Sequence, residues 1–465
     1  MSRTINIQNK RVLMLGLGLH GGGVSTARWL RRHGATLLIS DLKKKSALKP
    51  SLDLLARHKH IQYRLGEHRR EDVDWADFVI ANPGVPKEAD IIKYAQKKGK
   101  PVYNEATLFF DYCISPIIAV TGTRGKSTTA SLIAAMIGNK YPETVFAGNI
   151  RTVCMLDVLD RITPETPVVL ELSSWQLEGL DVIKAAPRIA VVTNLHPDHL
   201  NRYKTLAGYY YAKKEIWKHQ QPDHYLVLNN KDSVLQKWQK EARSRIALFD
   251  SRDHAATGSF LKKGFFWFRN AHGKETRMAR LGDSVLSGNH NIENILAAIA
   301  ASGLFGVRAK DVREALKHPP RLPGREEVIR DVHGVTYVND TTATTPVAGI
   351  AALERFKGKK KRIILIAGGA DKKLDYKDWA HAVRATCKSV HLLTGEASAK
   401  QFRALRGFKQ LTKSHDQLIP LVADIAANEA KKGDVVLFSP AAASFNLWNH
   451  EFERGSDFNN AVQAL

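Results

Sequence analysis

Lysine, hydroxyls and two glycines gather in residues 116–129, Pro-Ile-Ile-Ala-Val-Thr-Gly-Thr-Arg-Gly-Lys-Ser-Thr-Thr. Gly122 and Gly125, on either side of Thr123 and Arg124, let a backbone curl so that its N–H groups face a phosphate. Lys126 brings a cation to the β- and γ-phosphates, and Ser127 or Thr128 offers a hydroxyl to Mg²⁺. The apolar run 117–120 reads as a short buried parallel strand. Residues 128–137 read as a helix whose N-terminal dipole favours the same anion. The longer pattern GxxxxGK[ST] needs glycine at 120, where Val120 stands, so the loop is the shorter T-G-T-x-G-K-S-T. A nucleoside triphosphate suits these residues; the plainer alternative is a glycine turn between strand and helix.

Carboxylates and imidazoles recur where other strands should end. Residues 168–172 read as a strand closing on Glu171-Leu172-Ser173-Ser174, and an acid beside a phosphate loop can hold Mg²⁺ through hard oxygen. Residues 188–193 run into Asn194-Leu195-His196-Pro197-Asp198-His199, placed to reach a metal or a phosphate. A lone histidine there would more often be a capped structural residue. Residues 205–218 read as a helix carrying Lys213 and Lys214 side by side, and their chemistry singles out neither. Ser287-Gly288-Asn289-His290-Asn291 opens a helix over 292–304, where the asparagines suit a cap and the reading of a base equally. Near the N-terminus, Gly16-Leu17-Gly18-Leu19-His20-Gly21 follows a strand at 10–15 and precedes a helix at 24–33. A second strand ends at Asp41, about 20 residues beyond the last glycine, as in a dinucleotide fingerprint. That points to a nucleotide or a nucleotide-sugar, with an unliganded turn as the alternative. Asn82-Pro83-Gly84 forces a turn after the strand at 78–81, on the same ligand-bearing edge.

A chain of 465 residues exceeds one core and calls for two or three domains. Its 44% hydrophobic and 25% charged content is that of a globular protein. Cys113, Cys154 and Cys387 lie far apart without a CxxC, which suits a reducing cytosol and argues against a disulfide framework or structural zinc. The first apolar run breaks at Gly16, so it reads as a strand and not a leader. No run approaches the roughly 18 apolar residues of a membrane span, and no membrane partner is expected. The net charge of +24 is spread over many short clusters. It reads as a solvated surface aided by anionic substrates; nucleic acid is the minority reading, without an aromatic-interleaved motif or zinc finger to support it. Residues 223–284 alternate short apolar runs with turns, as a return to the sheet plus an antiparallel flap. The proline-rich 318–324 marks a boundary. Beyond it, strands at 335–338, 363–367, 390–394 and 435–439 each end in small, hydroxyl or charged residues, as a third α/β unit. The residues thus describe an ATPase-like centre between two α/β domains.

In order along the chain, GTRGKST at 122–128, Ala147-Gly148-Asn149-Ile150, LELSSWQLE at 170–178, NLHPDH at 194–199, 287–294, LPGRE at 322–326, 339–345 and 368–372 resemble the Mur ligases. The resemblance covers essentially the whole chain, and LELSSWQLE with the Gly-Leu-Gly-Leu N-terminus favours the glutamate-adding branch. It implies an α/β fold in three domains. A Rossmann-like 1–114 would bind the UDP-sugar. A central ATP-binding sheet with a small antiparallel flap would occupy 115–320, and a Rossmann-like 321–465 would bring the amino acid. The activity implied is ATP-dependent ligation of glutamate to UDP-N-acetylmuramoyl-L-alanine through an acyl phosphate, in cytoplasmic peptidoglycan precursor synthesis. ATP and Mg²⁺ would be required, and the protein would be a monomer. Residue by residue, Gly18, Leu19, His20, Asp41, Asn82 and Asn149 match positions around the UDP-muramoyl substrate. Gly122, Thr123, Arg124, Gly125, Lys126, Ser127 and Thr128 match the phosphate loop; Ser127, Glu171 and His199 match the metal shell. Lys214 matches the lysine that the family carries as a carbamate able to hold a second Mg²⁺. Asn291 and Asn294 match positions near adenine, and Arg325 and Asp340 match contacts to ATP. Thr344, Lys372, Ser444 and Phe445 match the glutamate region. Lys126, Glu171, His199, Lys214 and Arg325 would carry the catalysis.

Two motifs depart from the family pattern. Asp-Ser-Lys-Ala-Thr is Asp340-Thr341-Thr342-Ala343-Thr344 here, with Thr342 in place of lysine. Leu-Pro-His-Arg is Leu322-Pro323-Gly324-Arg325. Glu451 stands where an aromatic is common, followed by Phe452. These changes leave the choice between D- and L-glutamate open. A relative adding another amino acid is the runner-up, and a nucleic-acid-stimulated ATPase is the remote alternative. The latter calls for an acidic pair where this strand ends in Glu171-Leu172.

Overall fold

The computed structural model describes all residues except 1, 2, 20, 151, 152, 199–201, 287, 357, 359, 360, 445 and 449. His20, His199 and Phe445 therefore lie outside the described residues. The chain divides into two compact units, 1–320 and 321–465. Three sheets order the described residues, two in the first unit and one in the second.

The N-terminal sheet runs Ile61–Leu65, Thr36–Asp41, Arg11–Leu15, Phe78–Ala81, Val102–Tyr103, all parallel. Its central strands are apolar almost throughout because helices cover both faces. The second sheet has nine strands in the order Glu275–Arg280, Phe265–Arg269, Gly258–Lys262, Arg245–Asp250, Tyr225–Asn229, Ile189–Val192, Ile117–Thr121, Val168–Glu171, Val145–Gly148. Gly258–Lys262 joins Arg245–Asp250 in parallel, and only its pairing with Phe265–Arg269 and that of Phe265–Arg269 with Glu275–Arg280 are antiparallel. The flap expected within 223–284 is thus an extension of the central sheet.

One apolar cluster runs through both sheets of the first unit. It takes in Trp29 and Leu30 of helix Gly22–Arg32, Leu156 and Leu159 of helix Met155–Leu159, and Leu170, Ile216 and Trp217 beyond them. Polar ties cross the same seam. Asn104 caps helix Glu105–Tyr112 and donates from Nδ2 to Gln176 O at 3.0 Å, while the buried Glu105 carboxylate faces the backbone amides of Met155 and Leu156.

The second unit holds a six-stranded sheet in the order Glu327–Val332, Val335–Asn339, Val435–Phe438, Ile363–Ala367, Cys387–Leu393, Leu411–His415. Only its first pairing is antiparallel. In each sheet the loops that leave the C-terminal ends of the parallel strands carry the residues singled out by the sequence, as open α/β sheets present their ligands. No described helix is long and apolar enough to cross a membrane.

Candidate active site

Strand Ile117–Thr121 turns through Gly122 (φ 146°) and Gly125 (φ 76°) into helix Lys126–Gly138. Both glycines are demanded by close approach. A Cβ on Gly122 would stand 1.9 Å from Thr193 Oγ1, and one on Gly125 would stand 2.1 Å from Asn294 Oδ1. The end of strand Ile189–Val192 braces the loop. Thr123 N donates to Asn194 O at 2.9 Å, Arg124 N to Asn194 Oδ1 at 2.9 Å, and Thr193 Oγ1 to Arg124 O at 2.6 Å. His196 N donates to Thr123 Oγ1 at 3.0 Å. The Arg124 guanidinium lies 3.9 Å from Asp198. Of the 194–199 cluster, then, Asn194 and His196 shape the loop through backbone and amide groups, and Asp198 faces its arginine. Lys126 Nζ bends back to donate to Thr123 O at 3.2 Å, over the loop whose anion it would meet. Ser127 is buried in the first turn beside it, and Thr128 follows.

Glu171 is 1% exposed. It ends the strand beside the loop, in register with Val120 and Gly148. Asn149 Nδ2 donates to its Oε1 at 3.1 Å, whereas Oε2 is buried without a hydrogen-bond partner. Lys213, on helix Leu206–Lys218, is 2% exposed. Its Nζ donates to Gly122 O at 2.9 Å and lies 3.5 Å from Thr121 Oγ1. Burial, and next the charge of Lys126, hold its pKa well below the ordinary lysine value, opposed by Asp198 and Glu171. Lys214 does not reach this site. It pairs with Glu241 and rests over the Trp217 ring at 5.1 Å. The lysine beside the phosphate loop is Lys213, whereas Lys214, the residue expected there, points away from it. Further along the same helix, Asp181, Glu215 and His219 come together, but the Lys218 ammonium already bridges Asp181 and Glu215.

Asn291 and Asn294 are buried on helix Asn289–Leu304. Asn294 Nδ2 donates to Asn291 Oδ1 at 3.2 Å, and Thr129 Oγ1 to Asn294 Oδ1 at 3.4 Å. The N-cap is Gly288, with no side-chain cap. The asparagines lie against Gly125 and the start of the phosphate helix, so capping is not their task.

At the N-terminal sheet, Asp41 Oδ2 accepts the amides of Leu17 at 2.8 Å and Gly18 at 3.1 Å, while Oδ1 accepts Lys43 N at 2.8 Å. The carboxylate thereby fixes the shape of the glycine turn at the sheet's C-terminal edge. Gly18 and Leu19 remain half-buried at the same edge. Asn82 sits there too, its Oδ1 accepting Gly84 N at 3.1 Å.

The second unit gathers its own set. Asp340 accepts Ser439 Oγ at 2.8 Å and Glu326 N at 3.2 Å; burial, and next Glu326, push its pKa up to about 7. Arg325 N donates to Leu322 O at 3.1 Å in the same loop. Lys372 Nζ donates to Thr344 Oγ1 at 3.2 Å, bringing together two residues that the family resemblance assigns to the glutamate region. Ser444 is 1% exposed, and its Oγ has no hydrogen-bond partner. The two departures from the family pattern meet: Thr342 donates to Gly324 O from N at 3.0 Å and from Oγ1 at 2.9 Å. A Cβ on Gly324 would stand 2.6 Å from the Thr341 methyl.

Residues 10–104, 120–302 and 324–442 match the models of the Mur ligase MurD-like N-terminal domain, the Mur ligase middle domain and the Mur ligase glutamate ligase domain. The UDP-N-acetylmuramoylalanine–D-glutamate ligase of Roseiflexus sp. (strain RS-1) is 40% identical over 99% of this chain and 100% of its own length. The chain belongs to the Mur ligases. The ligase of the same name from Geotalea uraniireducens (strain Rf4) is 35% identical over 99% of both. Among solved Mur ligases, the UDP-N-acetylmuramate-alanine ligase of Thermotoga maritima superposes with a TM-score of 0.62 at 19% identity, covering 98% of this chain and 100% of that one. The MurF ligase of the same organism, in complex with ADP, gives 0.58 at 19% identity over 98% and 96%. At such identities the likeness is one of fold.

In this Mur ligase, the sequence reading missed Arg454 altogether. Its guanidinium is 0% exposed and donates to Thr341 Oγ1 at 3.2 Å, Thr341 O at 2.8 Å, Ala442 O at 3.2 Å and Ala443 O at 3.3 Å. It ties the Asp340–Thr344 loop to the one that carries Ser444. The only signal was an arginine within helix Glu451–Gln463, amid residues that pack inward.

Proposed function

We propose that this Mur ligase joins D-glutamate to UDP-N-acetylmuramoyl-L-alanine, cleaving ATP to ADP and phosphate, for peptidoglycan precursor synthesis. The observation that carries the reading is full-length identity of 40% to a ligase of that name. A phosphate loop whose glycines, lysine and helix start converge on one anion site supports it.

A carboxylate is a poor acyl donor. The γ-phosphoryl group passes to the alanyl carboxylate, the glutamate amine attacks the acyl phosphate, and the tetrahedral intermediate expels phosphate. Positioning and charge neutralisation supply most of the rate. The loop amides and Lys126 hold the phosphates, with Ser127, Thr128 and Arg124 beside them. Arg325 and Asp340 would meet ATP from the C-terminal unit, where Thr344, Lys372 and Ser444 would receive glutamate. The UDP-sugar would lie at the edge formed by Gly18, Leu19, Asp41 and Asn82. Glu171, with one buried oxygen unpartnered, and the Ser127 hydroxyl fit a hard divalent cation such as Mg²⁺, which when bound would neutralise phosphate charge. Asn149 would steady the Glu171 carboxylate.

The carbamate role passes to Lys213. Only an unprotonated amine attacks carbon dioxide, forming the N–C bond and releasing one proton to solvent. The depressed pKa of Lys213 supplies that amine. The product would be an anion beside Glu171. We place the domains at 1–114, 115–320 and 321–465, and the enzyme in the cytoplasm as a monomer. The test is ATP turnover with UDP-N-acetylmuramoyl-L-alanine and D-glutamate, with L-glutamate as the control. Turnover only with L-glutamate, or turnover that needs nucleic acid and ignores the sugar nucleotide, would sink the proposal.

A further inference from the structure

Six basic side chains line one depression of about 390 Å³ on the N-terminal domain. Arg31 and Arg32 come from the last turn of helix Gly22–Arg32, and Arg57, His58, Lys59 and His60 from the turn leading into strand Ile61–Leu65. We infer that this depression binds a small anion built on two or more linked phosphates, at a site separate from the ligase centre. The inference does not rest on the ligase reading.

Topology separates the two places. Helix Gly22–Arg32 starts at the C-terminal end of strand Arg11–Leu15, beside Gly18, and runs back to the opposite edge of the sheet. Its 11 residues span about 16 Å at 1.5 Å per residue. Ile61 begins its strand at that far edge too. The depression therefore lies at the N-terminal ends of the strands, away from the edge that carries Gly18, Asp41 and Asn82.

Charge and geometry indicate the ligand class. Three arginines and one lysine give four permanent cations. Asp160 is the neighbouring acid, pairing with Arg32 at 3.3 Å and with His33 at 3.5 Å. Arg31 donates to Ala35 O. Among the described residues, Arg57 and Lys59 have no carboxylate partner. Three positive charges thus remain after Asp160 is counted, gathered where like charges repel. A single phosphate leaves an excess, whereas a di- or triphosphate matches it. Planar guanidinium forks engage pairs of phosphate oxygens, and the two imidazoles add N–H donors. Among the described residues no ring other than those imidazoles lines the depression, so recognition falls on phosphate and not on a base. The depression is shallow and local, not an extended groove following a nucleic-acid backbone.

Isothermal titration of the full-length protein with inorganic tripolyphosphate tests this, at about 150 mM salt where weak surface attraction is largely screened. The Lys126→Ala chain, in which the phosphate loop is weakened, should keep one tripolyphosphate site. Adding Arg57→Ala and Lys59→Ala should weaken that site about tenfold or more, with a smaller salt dependence. Because both residues are exposed, an unchanged melting temperature will show that the variant is folded. A parallel arm with ATP asks whether the nucleoside contributes. Equal affinity for ATP and tripolyphosphate, with the same loss in the pocket variant, would uphold recognition by linked phosphates, and clearly tighter ATP binding would overturn it. Unchanged tripolyphosphate binding in the pocket variant overturns the inference. So does a pocket variant that loses only duplex DNA or anionic vesicles.

Discussion

Two adjacent lysines give the sharpest contrast at the residue scale. Lys213 reaches Gly122 O from a buried position, and Lys214 reaches Glu241 at the surface. Lys213→Met should cut ligase turnover by about 100-fold or more, while Lys214→Met should stay within about threefold; steady-state kinetics on both variants checks this. The reverse ranking would return the role to Lys214. Turnover should also fall as the pH drops through the folded pKa of Lys213, because protonation removes the amine. Between that depressed value and the ordinary one the unfolded chain binds the extra proton, so this lysine makes stability rise with pH. Glu105 titrates the other way. Burial first, and then Asp157, raise its pKa from 4.5 to about 7, against the amides of Met155 and Leu156 that lower it. Its contribution is fully present below 4.5 and is lost as the pH climbs through about 7, by roughly 3 kcal/mol in all. Glu105→Gln should therefore raise the melting temperature at about pH 8.5 and leave it nearly unchanged at about pH 5. Melting curves at the two pH values decide it; equal shifts at both would remove the ionisation as the cause.

Elements matter here chiefly as carriers of loops. In the C-terminal unit, helix Glu451–Gln463 supplies Arg454, whose four hydrogen bonds fix the loops bearing Thr344 and Ser444. Arg454→Met keeps the length but leaves the two loops without their tie. It should raise the KM for glutamate about tenfold with a much smaller change in the KM for ATP, and lower the stability of this unit by about 3 kcal/mol. A fall in stability with an unchanged KM for glutamate would reduce Arg454 to a purely structural part. In the central sheet, the short phosphate loop is similarly a product of its neighbours. Thr193, Asn194 and Asn294 fill the space around Gly122 and Gly125, which is why the loop holds its shape without a glycine at Val120.

For the whole molecule, the shared apolar cluster joins the N-terminal and central sheets into one unit, while 321–465 has clusters of its own. Lys317 is exposed at a helix end, and Arg321 is exposed in the proline-rich segment after it. Limited trypsin digestion should cut first at one of these two and leave two resistant fragments, identified by mass spectrometry. A first cut near residue 114 would mean that the shared core does not hold the first two domains together.

Much of this was legible in the sequence because local motifs are made by contiguous residues. Gly122, Gly125 and Lys126 form an anion loop wherever a strand precedes and a helix follows, and the strand-end positions of Glu171, Asp340 and Lys372 follow from alternating apolar runs. The family emerged from the order of such motifs, and full-length similarity bears it out. What the sequence could not give was direction. Neighbours on a helix point about 100° apart, so Lys213 and Lys214 look interchangeable until packing turns one inward. Asp41 likewise reads as an acid at a strand end, and only the folded turn shows its carboxylate taking the amides of Leu17 and Gly18. Arg454 had no motif at all, since its partners lie more than 100 residues away or are backbone carbonyls. Spacing along the chain fixed which chemistry is present; only tertiary packing, which sets where each side chain points and what it must pair with, decided which residues carry it.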